Sequence, residues 1–61
     1  MTLIDNTYEF DENGPLIDLI IIYGIAQCDF GYFSPGSYRH TVAEKACNEI
    51  YKVIYNRLKI G

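Results

Sequence analysis

The first 38 residues contain no lysine and no arginine, and that absence limits what this 61-residue chain can hold. Asp5, Glu9, Asp11, Glu12, Asp18 and Asp29 all fall in that stretch. Every basic side chain follows it: Arg39, Lys45, Lys52, Arg57 and Lys59, set against Glu44 and Glu49, for a net charge of −3. Phosphate binding draws its affinity from neutralising a polyanion, so an acidic half-domain repels the backbone rather than grips it, and nucleic acid is not expected as the main ligand. Cysteine is scarce too. Cys28 and Cys47 are too few for the disulfide framework of a small secreted domain, and no basic, apolar, small-residue signal pattern precedes them, so an intracellular location, nucleus or cytoplasm, is expected. Long hydrophobic runs are missing as well: Leu16 to Ala26 is interrupted by Asp18 and falls well short of the ~20 residues that span a bilayer. With no repeats, low-complexity tracts or linker, the chain reads as one domain over residues 1–61.

Chemistry-bearing constellations are equally thin. His40 is the one histidine, the two cysteines are far apart, and no CxxC or HxxxH spacing exists, so no metal site is expected. The cysteines read as small buried hydrophobes. Asp11 and Glu12 are adjacent in a turn, where solvated charge is the default, and nothing sets a general acid against a base. Gly24 and Gly31 are too far apart for a phosphate loop. The expectation is a protein that is not an enzyme and uses no cofactor.

What the chain does have is apolar bulk: 49% hydrophobic residues, with six tyrosines and three phenylalanines. That composition folds, although a chain this short buries too little surface for a large independent core. In residues 3–10, Ile4, Asn6, Tyr8 and Phe10 alternate with Asp5, Thr7 and Glu9, the period of a half-buried strand. Asp11-Glu12-Asn13-Gly14-Pro15 supplies a turn. Residues 16–27 are rich in Ile and read as a long second strand, with a buried helix as the competing reading; flanking turn signals and the Cys28-Asp29 break favour the strand. A third strand is expected over 30–34, followed by the Ser34-Pro35-Gly36-Ser37 loop.

From about 39 to 59 the pattern is helical. Val42, Ala46, Ile50, Val53 and Ile54 form one stripe, with Thr41 and Glu44 as a possible capping box and Ser37 as the rival cap. Cys47, Tyr51, Ile54, Tyr55 and Leu58 form a second stripe beside it, so the helix is apolar over a wider arc than one sheet face needs. The expected class is α+β: a three-stranded antiparallel sheet packed on one C-terminal helix, in the order β-β-β-α.

Over about residues 8–56 that frame resembles the double-stranded RNA-binding domain without its first helix. The resemblance rests on Gly14-Pro15 as the turn between the first two strands, the gap from there to Arg39-His40, the hairpin between, and the helix opening Arg39-His40-Thr41-Val42-Ala43-Glu44-Lys45-Ala46-Cys47 with its small Ala46-Cys47 pair. Ile17 stands where the family carries a histidine after Gly-Pro, Ile21 where it carries an aromatic, and the basic group expected at Ala43 is gone. The family grips RNA with its first helix, its Gly-Pro loop and the basic start of its last helix. Here the first is missing, the second is flanked by Asp11, Glu12 and Asp18, and the third is reduced to Arg39, with His40 and Lys45 as weak support. The resemblance therefore implies weak or no RNA binding. It implies the role of degenerate members, such as the C-terminal domains of plant or animal Dicer-partner proteins: homo- or heterodimerisation with another double-stranded RNA-binding domain in an RNA-silencing or RNA-processing complex.

Strand alternation gives that expectation a surface. If Ile21, Tyr23 and Ile25 face the helix, then Ile20, Ile22 and Ala26 lie on the outer sheet face, joined by Phe33, and the second helical stripe of Cys47, Tyr51, Tyr55 and Leu58 supplies the rest of a partner-binding surface. An alternative from another class is a small acidic viral or phage inhibitor whose carboxylates imitate nucleic-acid phosphates and block a host enzyme.

Overall fold

Pro15 is where the chain commits to its first helix. In the computed structural model, which describes residues 1–60, the Pro15 carbonyl accepts the N–H of Asp18 at 3.1 Å and that of Leu19 at 3.4 Å. Helix α1 then runs Leu16–Tyr32, 17 residues. Leu16, Leu19, Tyr23, Ala26 and Phe30 recur at alternating spacings of three and four and form its inner seam, in which Leu19 and Ala26 are fully enclosed. The helix stops at Phe33, which takes an extended conformation and donates its N–H to the Asp29 carbonyl at 3.0 Å. Pro35 lacks the N–H a continuing helix needs, and Gly36, at φ +91°, takes the left-handed turn that brings the chain back.

Ser37 begins the return. Its Oγ accepts the N–H of His40 at 3.2 Å, so Ser37 rather than the Thr41–Glu44 pair caps helix α2, Tyr38–Ile60. Arg57 and Lys59 lie in the last turn, where cations complement the helix dipole. The two helices pack antiparallel, with Phe30 stacked on His40 at 4.3 Å between ring centroids and Tyr23 against Tyr51 at 6.3 Å. Ala26, Ala43 and Ala46 are completely buried between them, small side chains that let the helix axes approach closely. Ile50 fills the space this leaves, also with no exposed surface.

The N-terminal segment lies across this helix pair as a β-hairpin. Strand β1 (Thr2–Ile4) pairs antiparallel with β2 (Tyr8–Phe10), Ile4 opposite Tyr8 and Thr2 opposite Phe10. The reversal is made by Asp5 and Asn6, at φ 52° and 56°, with the Thr7 N–H donated to the Ile4 carbonyl at 3.0 Å. Asp and Asn tolerate that left-handed region better than other residues with a Cβ. Ile4, Tyr8 and Phe10 face inward and are buried, β2 against α1 and β1 against α2.

The architecture is thus a two-stranded hairpin on two helices. The α+β class stands, but the expected three-stranded sheet on one helix is corrected in three places. Residues 3–10 are two short strands, not one; residues 16–27 are helix, not a second strand; and residues 30–34 hold the end of α1 and its cap, not a third strand. The physical reason lies in α1 itself. Its apolar residues cover two opposite faces, so no polar stripe marks a helical period, and the β-branched isoleucines mimic a buried strand. Length is the better arbiter: strands usually end near five or six residues, and this segment continues for 17. With residues 16–32 helical, the chain lacks the strand hairpin that was one support of the resemblance to the double-stranded RNA-binding domain.

Because Ile50 has no exposed surface and sits where both helices and the hairpin meet, Ile50→Ala should cost about 2–5 kcal/mol. A domain of this size has a total of only about 3–9 kcal/mol to lose. Urea titration followed by circular dichroism is expected to show this variant largely unfolded or at a much lower midpoint. A midpoint within the error of the parent would mean that Ile50 is not the keystone of the core.

Candidate functional site

On the side of α1 away from its inner seam, the exposed residues are apolar. Ile17, Ile20, Ile21 and Ile25 retain 60, 47, 55 and 48% of their surface, and Tyr32 retains 82%. Among them run Gly24, Cys28 and Gly31; a side chain grafted at either glycine would meet nothing within 4 Å. Asp18, at the helix start, is the exposed charge on α1, while Asp29 is turned toward the hairpin and accepts the Tyr8 hydroxyl at 2.5 Å. Beyond Tyr23 the apolar surface continues onto α2, where Tyr51 stacks on Tyr55 at 6.2 Å and Leu58 follows, all three exposed. Ile20, one turn before Tyr23 on the same ridge of α1, joins the two parts. Exposed Gln27, which donates to the Tyr23 hydroxyl at 2.8 Å, lies beside this junction, and exposed apolar side chains gathered on one helix face mark a contact surface.

The expected partner-binding residues divide on this map. Ile20, Tyr51, Tyr55 and Leu58 lie outside, within the patch. Ala26 and Cys47 are buried in the helix interface and Ile22 is half-buried against the core, so these three are removed from the surface. Phe33 is half-buried, with the Arg39 guanidinium 4.8 Å above its ring. The difference is one of period: strand alternation repeats every two residues and a helix turns every 3.6, so Ile20 and Ile22, paired by alternation, lie on different faces. Ile17, Ile21 and Ile25 escape a strand reading for the same reason. The signal that finds Ile17 and Ile21 is the second run of three- and four-residue spacings, Ile17, Ile21, Gly24, Cys28 and Gly31, and Ile25 stands one turn beyond Ile21.

Of the residues expected to retain contact with RNA, Arg39 and His40 are engaged with side chains of the chain itself and Lys45 is exposed. Arg39 is spent over Phe33, His40 is stacked on Phe30 with its Nδ1 3.1 Å from the Phe33 carbonyl oxygen, and Lys45 projects from a different side of α2. Arg57, to which the sequence pattern assigns no role, holds the Gly-Pro turn onto the end of α2 by donating to the Gly14 carbonyl at 2.6 Å and to the Glu12 carbonyl at 3.4 Å. Glu12 in turn accepts the Thr2 hydroxyl and takes the terminal amino group of Met1 at 3.1 Å, and the Thr2 bond first, then the amine, holds its carboxyl below the usual range.

Two concavities accompany the patch. One, about 340 Å³, lies between the hairpin and α1, with Glu9, Asp11 and Asp18 around a floor of Phe10, Leu19 and Ile22. The other, about 280 Å³, lies between the helices and is lined by Gln27, Phe30, Glu44, Cys47 and Asn48. Burial pushes the Cys47 thiol up, away from the thiolate a nucleophile needs. Among the described residues no three His, Cys, Asp or Glu side chains come together as a metal site, and no helix is long and apolar enough to cross a membrane. Comparison with family models, with curated proteins and with solved structures returns no match.

Tyr8 gives this architecture a pH signature. Burial first, and then its bond to Asp29, push the phenol up from 10.0 to about 12. The folded chain therefore holds a proton that the unfolded chain releases near pH 10, so this contribution is whole below pH 10 and is lost as the pH rises through 12. Urea midpoints of the parent and Tyr8→Phe should run parallel below pH 10, and the parent should lose ground to the variant between 10 and 12. Curves that stay parallel throughout would show that Tyr8 titrates alike in both states.

Proposed function

We propose that this chain is a non-catalytic protein-interaction module whose contact surface is the outer face of α1 with the Tyr51–Tyr55 flank of α2. The observation that carries this reading is the exposure of Ile17, Ile20, Ile21 and Ile25 on one side of a helix whose opposite side already forms the core. Four half-exposed isoleucines hold an apolar surface in water at an appreciable free-energy cost, and covering them with another chain removes it. Tyrosine supplies large, rigid contact area with little entropy to lose, which suits Tyr51 and Tyr55 to the same surface. The assembly implied by the resemblance, with a second double-stranded RNA-binding domain in an RNA-silencing complex, stood on a fold the chain does not have. The proposal keeps its coarser content: a protein partner and no reaction.

The phosphate-mimic alternative is disfavoured by where the carboxylates are engaged. Asp29 accepts from Tyr8, Asp5 from Tyr38, Glu12 from Thr2 and the terminal amine, and Asp11 from the N–H of Asn13 at 2.9 Å. Charges tied into separate internal contacts do not present the regular array of a nucleic-acid backbone.

Ile21→Lys is the decisive substitution, because the side chain is already 55% exposed and the change leaves the core untouched. Captured proteins from source extract, compared by mass spectrometry for parent and variant bait, are expected to include species lost with Ile21→Lys, since a lysine in an apolar contact costs several kcal/mol to desolvate. Identical capture by both baits sinks the reading. A titration with a duplex RNA of about 20 base pairs near physiological salt is expected to show no saturable binding; a micromolar dissociation constant, lost in Arg39→Ala, would instead restore a nucleic-acid role.

A further inference from the structure

Resting on that reading, we infer that the occupant of the α1 outer face is a second copy of this chain, its α1 packed antiparallel on the first about a two-fold axis at Gly24.

Ile17, Ile21, Gly24, Cys28 and Gly31 repeat at alternating four- and three-residue intervals, the pattern by which one helix presents a continuous seam to another. α1 thus carries two such seams, and its own chain fills only the inner one.

Size along the outer seam then selects the partner and its direction. At the seam positions themselves Ile17 and Ile21, before Gly24, are large and Cys28 and Gly31, after it, are small, with open space above both glycines, while Ile20 flanks the seam on one side and Ile25 and Tyr32 on the other. A copy running antiparallel and crossing at Gly24 lays the large half of each helix over the small half of the other, and the bare glycine lets the axes come close at the crossing. A parallel copy sets isoleucine against isoleucine at one end and leaves a gap at the other. The surface is complementary to its own inverse, which is what an isologous contact requires.

Area and charge agree. The exposed surface of the four isoleucines and Tyr32 is on the order of 600 Å² per chain, so a two-fold pair hides at most about 1,200 Å², the lower bound of a specific interface. A lipid surface is the poorer occupant, because α1 carries Asp18 and Asp29 and no cation to meet an anionic headgroup.

The test uses the full chain in sedimentation equilibrium, from about 1 to 300 μM, with cross-linking as a second measurement. The mass is expected to double across that range, and Ile21→Lys and Ile25→Lys are each expected to weaken association at least ~30-fold while circular dichroism keeps its helical signal. Under oxidised glutathione, Gly24→Cys in a Cys28→Ser background is expected to give a disulfide-linked dimer, since two-fold related positions at the crossing meet within bonding distance, whereas native Cys28 lies about 12 Å along the axis from its mate and does not link. A monomeric mass at every concentration overturns the self-association, and it does so without touching the interaction-module reading if Ile21-dependent capture persists. Efficient linkage through Cys28 with none through Gly24→Cys overturns the antiparallel crossing, and undiminished association of both lysine variants overturns the choice of face.

Discussion

The close approach of α1 to α2 is the constraint on which the rest of this structure depends. Ala26 meets Ala43 and Ala46 with no exposed surface on any of the three, and only side chains that small allow two helices to share so little space while still enclosing Leu19 and Ile50. Once the helices are drawn together, the inner seam of α1 is used up. The hairpin can then be accommodated only across them, where Ile4, Tyr8 and Phe10 complete the enclosure. The same economy leaves the outer isoleucines stranded. Among the described residues no further element covers them.

Polar contacts select one arrangement among those the apolar surfaces alone would allow. The Tyr8 hydroxyl on Asp29 fixes the hairpin against α1, and Arg57 on the Gly14 and Glu12 carbonyls fixes the connecting turn against α2. The Gly14-Pro15 pair, which resembles a family turn, works here as the end of a helical start signal, with Arg57 as its anchor. Its neighbours Asp11 and Glu12 are likewise absorbed locally, one by the N–H of Asn13 and the other by the chain start.

Much of this is written plainly in the residues, and much is concealed by one property of α1. Ser34-Pro35-Gly36-Ser37 announces a break, and the stripe Val42, Ala46, Ile50, Val53, Ile54 faces the core because α2 has a polar side against which its apolar side stands out. The inward set Ile4, Tyr8 and Phe10 is also legible, since a three-residue reversal preserves the parity of the strand. Less legible is Asp5-Asn6, a pair suited to positive φ that marks a hairpin rather than a continuous strand. Residues 16–32 defeat periodicity because both of their faces are apolar for different reasons, one for folding and one exposed to solvent. Sequence alone does not separate those two demands, and contact residues chosen by alternation go astray with the element that carries them.

The order of elements carries a consequence of another kind. A β-hairpin followed by an α-hairpin means that most partners are adjacent in sequence; β1 against α2 is the contact that joins the two ends of the chain. Loop-closure entropy is therefore small for nearly every contact, and chains of such low contact order fold on microsecond to millisecond timescales. Speed of that order shortens the interval in which the isoleucines of α1 are bare on both sides, and so limits the encounters that would tangle one molecule with the next before either is formed.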